Sequence, residues 1–110
     1  MIEKTVLEYL NANLSVPAYT EMPEKAPKRF VLVEKTGSSV ENYIYSATLA
    51  IQSYAESMFE AATLNEKVKK AMNDIIVLDS VSRSQLNTDY NFTDTTKKKY
   101  RYQAVYDLVY

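Results

Sequence analysis

Glu21 and Glu24 stand three residues apart, a spacing at which two carboxylates could share general acid–base work. They lie among Pro17, Pro23 and Pro27, the only prolines, where no regular element would fix their separation. Solvated loop charge is the stronger reading. Asp89 and Asp94 flank Tyr90 and Phe92, but calcium asks for more oxygens at tighter spacing. Asp94 reads instead as a turn former with Thr93 and Thr95. Ser38 and Ser39 follow Gly37, as in a phosphate loop, yet one glycine cannot supply the run of open amides such loops use. The chain has no histidine, so no serine has its usual activator and the commonest transition-metal ligand is missing. It has no cysteine, which excludes disulfides and thiol chemistry and fits intracellular synthesis. The expectation is a protein that is not an enzyme, with no catalytic residue, cofactor or metal.

One basic, aromatic cluster remains, Lys97-Lys98-Lys99-Tyr100-Arg101-Tyr102. Lysines on phosphate with tyrosines stacked on bases would bind nucleic acid. Alternation, however, puts Tyr100 and Tyr102 on the face opposite Arg101, which places the tyrosines inside and leaves a small basic patch. A charged strand end that discourages edge-to-edge pairing is the favoured reading. A softer version keeps the lysines at the rim of an assembly through which DNA passes.

These residues need elements to carry them. The 110 residues suit a single domain over 1–110, and 46% hydrophobic with 25% charged suffices for one core. No apolar run is long enough for a membrane helix, and the first residues lack the pattern of a secretory signal. A net charge of −1 gives no general attraction to nucleic acid. Ten tyrosines against three phenylalanines and no tryptophan suit either protein interfaces or the outer layer of a sheet.

The chain is organised around residues 42–72. Tyr43, Tyr45, Ala47, Leu49 and Ile51 alternate with Asn42, Ser46, Thr48 and Gln52, the period of a strand buried on one side. The period then becomes helical through Met58, Ala61, Ala62, Leu64, Val68, Ala71, Met72 and Ile75. Ser53 and Glu56 have the spacing of a capping box at the switch, worth about 1 kcal/mol. Glu56 and Glu60 near the helix start and Lys67, Lys69 and Lys70 near its end complement the helix dipole.

Before this stretch, residues 2–14 read as a first amphipathic helix, 16–20 as a short edge strand and 21–28 as a surface loop. Arg29 to Lys35 reads as a strand, central because Phe30 to Val33 are continuously apolar. Gly37 is expected to turn it into the next strand as a hairpin. After the long helix, Ile75 to Leu78 is undecided between states. Ser80 to Tyr90 reads as a strand with Ser82, Ser84, Leu86, Thr88 and Tyr90 on one side, Asn91 to Lys99 as a loop, and Tyr100 to Val109 as a last strand. The fold class is α+β in the order α-β-β-β-α-β-β, a mostly antiparallel sheet of four to five strands with two helices on one face. The other face, with Thr48, Gln52, Arg101 and Gln103, is left wet or covered by a partner.

The succession of an N-terminal helix, a proline-rich loop, Arg29-Phe-Val-Leu-Val-Glu34, the glycine at Gly37 and a strand ending in Gln52-Ser-Tyr-Ala-Glu-Ser57 resembles a known family. Ala61, Leu64 and Val68 in the helix, Tyr90-Asn-Phe92-Thr-Asp94, and Arg101-Tyr102 at the last strand continue the likeness. The chain is similar to the tail terminator, or tail completion (minor capsid), proteins of long-tailed bacteriophages. It departs from them at Tyr54, where tryptophan is common, and at Thr93 and Thr95, where prolines often flank the aspartate.

The resemblance implies a virion subunit of the tail–neck region, made in the host bacterial cytoplasm, that joins a homohexameric ring. The ring caps the tail tube protein, stops its growth and offers its other side to a head-completion connector. DNA only passes through the lumen, and no membrane is involved. A cyclic ring needs two different matching patches on each subunit, which sheet-edge pairing could supply. The expected interface positions are Val40, Glu41 and Tyr43 after the Gly37 turn and Tyr90, Phe92, Asp94, Lys97 and Lys98 in the late loop. Rival readings are another neck or head-completion connector of the same particle and a small α+β binding module.

Overall fold

Alternation of Tyr45, Ala47, Leu49 and Ile51 with Ser46, Thr48 and Gln52 builds the strand that holds the sheet together. In the computed structural model, which describes residues 1–110, seven strands and helices run in the expected order. They are α1 (Ile2–Asn13), β1 (Ala18–Tyr19), β2 (Phe30–Glu41), β3 (Ile44–Ala55), α2 (Met58–Asp74), β4 (Arg83–Asn91) and β5 (Tyr100–Val109). A single 3-10 turn, Ile75–Val77, follows α2 and resolves the undecided stretch. The sheet has five strands in the order β1-β2-β3-β5-β4. Only the β1–β2 pair is parallel.

Both helices lie on one face of the sheet, α2 across β3 and β5 and α1 against β2. Val31, Val33, Ala47, Leu49, Ile51, Ala104, Tyr106 and Leu108 rise from the strands to meet Val6 and Leu10 of α1 and Leu64, Val68 and Met72 of α2. Leu49, Val68 and Leu108 are fully buried. The Tyr9 hydroxyl donates to the Ala71 carbonyl (2.9 Å) and ties the helices together.

Four local expectations are corrected. The β2–β3 turn is not at Gly37. β2 runs on to Glu41, and the turn is made by Asn42 and Tyr43, both with positive φ (52° and 66°). That is the conformation of a two-residue hairpin turn of the primed kind. Gly37 sits within β2 beside a bulge between Lys35 and Gly37, with no positive φ and open space where a Cβ would stand.

The helix cap also moves. Ser57 caps α2, its hydroxyl accepting the Glu60 amide (3.2 Å). Ser53 lies in β3 between Val31 and Tyr102, its buried Oγ without a hydrogen-bond partner. Glu56 pairs with Arg29 (Nε to Oε1, 2.9 Å), and that hydrogen bond holds its carboxyl below the usual range. No basic residue lies in the last turn of α2.

The third correction concerns β2. It is central only at its start, because β1 pairs with Val31 and Leu32 alone. The Asn11 side chain accepts the Ala18 amide (2.9 Å) and donates to the Ala18 carbonyl (3.2 Å), closing β1's outer side. The fourth concerns β4. A bulge between Leu86 and Thr88 splits the expected face. Ser84 points to α2, donating to the Met72 carbonyl (2.7 Å), while Tyr90 reaches Gln103 on the opposite face.

Below that bulge, Asp89 turns back to α2. It accepts from Lys69 Nζ (2.9 Å) and Asn65 Nδ2 (3.0 Å), and the Lys69 bond chiefly depresses its pKa. A depressed carboxyl adds stability that is present above its unfolded value and lost as pH falls through its folded one. Asp89→Asn should therefore cost about 1 kcal/mol near neutral pH. The gap to the natural protein should close as pH drops below about 4. Thermal unfolding from pH 6 to pH 2 tests this; a constant gap would assign the loss to something other than the charge.

Candidate assembly interface

The expected interface residues fall into two groups at opposite ends of a molecule 44 × 25 × 24 Å. Val40 and Glu41 end β2 and Tyr43 lies in the β2–β3 turn. Tyr90, Phe92, Asp94, Lys97 and Lys98 belong to the end of β4 and the β4–β5 loop. Twelve residues of β3 separate the ends, about 40 Å at the rise of a strand.

At the turn end, the last β3–β5 ladder pair is Ser46 with Val109 and the Tyr110 amide still donates to the Tyr45 carbonyl (2.9 Å), so the β2–β3 hairpin extends beyond β5 from Ile44. Along the arm, Ser39 and Ser46 share a hydrogen bond (2.7 Å). The tip is apolar although it packs on nothing above it. Val40 is 60% exposed, Tyr43 94% and Ile44 56%. Tyr45 is half exposed and leans on Tyr110, ring centroids 6.1 Å apart. Ile44 and Tyr45 join the patch but were missed as interface residues. The available signal was Ile44 itself, an apolar residue among Ser46, Thr48 and Gln52 on the outer face.

At the other end, the outer face is polar but not wet. Gln52 and Gln103 are 9% and 8% exposed. Gln52 donates to Gln103 (2.9 Å) and accepts from the Tyr54 hydroxyl (3.1 Å), and Gln103 bonds the Tyr90 hydroxyl. Tyr54 stacks on Phe30, centroids 4.6 Å apart. Arg101 donates to the Tyr54 hydroxyl (2.9 Å) and the Phe92 carbonyl (2.7 Å) and lies 4.3 Å from the centre of the Phe92 ring. Its charge is thus held by the fold instead of offered to phosphate. Asp94 accepts the amides of Thr96 (3.1 Å) and Lys97 (3.2 Å), the turn-forming role expected of it. Lys97 and Lys98 are exposed, Lys98 at φ 52°. Exposed Phe59 in the first turn of α2 had no signal, since it falls off the helix's apolar stripe.

Phe92→Ala should leave the monomer folded, removing about 1 kcal/mol through the lost Arg101 and Tyr90 contacts. A thermal-unfolding loss of ~3 kcal/mol or more would instead make Phe92 part of the core.

An open cleft of ≈ 760 Å³ lies between α1 and the end of α2, with Glu8, Tyr9 and Asp74 its ionisable side chains. No group of three or more Asp or Glu residues is placed to hold a metal ion. No helix is long and apolar enough to cross a membrane. No protein-family model matches the chain, and no curated protein matches its sequence.

Proposed function

We propose that this chain is a structural assembly subunit, the tail terminator of a long-tailed phage particle. Six copies form a ring on the last ring of tail tube protein, stop its polymerisation and offer a second surface to the head connector. DNA only passes through the lumen.

The observation that carries the reading is Tyr43. A tyrosine at positive φ in a hairpin turn costs roughly 1 kcal/mol that glycine would not. The residue is 94% exposed, so the monomer gains little in return. A side chain held against its backbone preference at the apolar tip of a projecting arm suits a contact made in an assembly. The second surface, 40 Å away on the scale of the strand rise, suits a subunit that joins two partners.

A stop codon early in the gene, in the genome that carries it, tests the proposal by electron microscopy of the particles. Abnormally long tubes unattached to heads are expected. Normal-length tails detached from filled heads would make the chain a head-side connector. Unchanged particles would remove the phage reading and leave a binding module.

A further inference from the structure

The sheet ends in two open edges. Outside β2 stands only β1, which covers Val31 and Leu32. From Val33 to Glu41, β2 has a ladder partner only in β3. At the other edge the nine residues of β4 are paired only with β5. The two stretches with a ladder partner on one side, Val33–Glu41 and Arg83–Asn91, have the same length. Open edges of this kind are templates for another strand.

β2 is antiparallel to β3, β3 to β5 and β5 to β4. β4 therefore runs opposite to β2, and a copy rotated about a common axis presents its β2 antiparallel to β4. We infer that β4 of one copy pairs with β2 of the next, with Arg83 opposite Glu41 and Asn91 opposite Val33.

Three observations select this register. A slip of one residue would put each side chain on the wrong face. A slip of two drives Asn91 onto Val31, which β1 already occupies, or carries Arg83 onto Tyr43 in the turn. The two bulges, at Lys35/Gly37 and at Leu86/Thr88, fall beside each other. Leu86 then meets Ser38 and Thr88 meets Gly37, so the faces match on both sides of the irregularity.

Charge agrees with it. Arg83 bonds only Gln85 within its own chain, and Glu41 has no salt-bridge partner. Asp89 opposite Lys35 is a second complementary pair, although each already has an internal partner in Lys69 and Glu3. The contact joins two different patches, so it repeats from copy to copy and closes into a ring or grows into a filament. It deepens the ring reading above and rests on it only for closure.

The natural chain has no cysteine, so Arg83→Cys with Glu41→Cys reports the pairing directly. Within one chain β5 and β3 lie between these positions, so a disulfide must join two copies. Oxidation of the purified double variant should give a ladder of cross-linked multimers, and a mixture of the two single variants should give dimers only. Separately, Glu41→Arg should weaken self-association roughly tenfold or more, and adding Arg83→Glu should restore it. Two results would overturn the pairing. One is cross-linking of either single variant alone, which would mean like edges meet. The other is no cross-link at ~1 mM protein, where even an affinity of a few kcal/mol would register. Cross-linked multimers together with unchanged particles in the stop-codon test would keep the pairing and remove the terminator reading. Overlong tails without cross-links would do the reverse.

Discussion

Tyr106→Ala should lower the stability of the monomer by about 4 kcal/mol. Tyr106 is fully buried at the middle of β5, opposite Leu49 of β3 and Leu86 of β4. Its hydroxyl reaches two acceptors on α2, the Lys69 carbonyl (3.1 Å) and Asn73 Oδ1 (3.0 Å). Removing the ring leaves a void where sheet and helix meet, and those flanking elements cannot collapse into it without breaking their own pairing. A domain of this size holds ~5–15 kcal/mol, so the loss is a large share and should lower Tm on the order of 15 °C. Denaturant unfolding should show an earlier midpoint at an unchanged slope. Tyr106→Phe separates ring from hydroxyl and should cost about 1 kcal/mol. It also tests the alkaline limb. Burial pushes the Tyr106 phenol from 10.0 up to about 12. A raised pKa contributes stability that is complete below the unfolded value and lost as pH rises through the folded one. Between pH 10 and 12 the natural protein should lose stability that Tyr106→Phe does not. A loss of no more than about 1 kcal/mol for Tyr106→Ala would place the ring outside the core.

Tyr106 is legible in the sequence because Ala104, Tyr106 and Leu108 alternate with Val105, Asp107 and Val109, and β5 buries the first three. The same holds for α2, whose period survives because it packs one face on the sheet, and for β3, where apolar residues face the helices and Ser46, Thr48 and Gln52 lie on the other side. The hairpin turn was misplaced because glycine is the usual carrier of positive φ, and Gly37 stood nearby. Nothing local marks Tyr43 for that conformation; only Asn42, which tolerates it, hints at the turn. The cap was ambiguous for a different reason. Ser53 and Ser57 each precede a glutamate by three residues, and what decides between them is tertiary. β3 must run on to Ala55 to pair with Tyr100 of β5. The bulge at Asn87 was invisible because β4 is polar on both sides and slipping one residue disturbs no apolar stripe. The shielded outer face was hidden because Gln52 and Gln103 lie far apart in the chain and meet only once β3 and β5 are neighbours. The two candidate contact groups were named residue by residue, but their placement at opposite ends followed only from the topology.

Tyr43→Gly should move stability and assembly in opposite directions. Glycine adopts positive φ without a Cβ clash, so the monomer should gain about 1 kcal/mol and several degrees in Tm. Little is lost in exchange, because the Tyr43 ring is almost wholly exposed and packs on nothing in its own chain. Asn42-Gly is moreover the preferred sequence for this turn, so β2 and β3 should keep their register. Assembly should suffer. Aromatic side chains at the centre of a contact commonly carry 2 kcal/mol or more, which is roughly a thirtyfold loss of affinity. Ile44→Ser, beside it, should weaken assembly without the gain in Tm, because Ile44 lies in the regular part of β3. Thermal unfolding of the purified variants, followed by counts of particles with joined heads and tails, reads both quantities. A stabilised Tyr43→Gly protein that still assembles fully would show the strain at this turn to serve no contact, and would remove the projecting hairpin from the candidate interface. A destabilised one would mean that the tyrosine supports the turn itself.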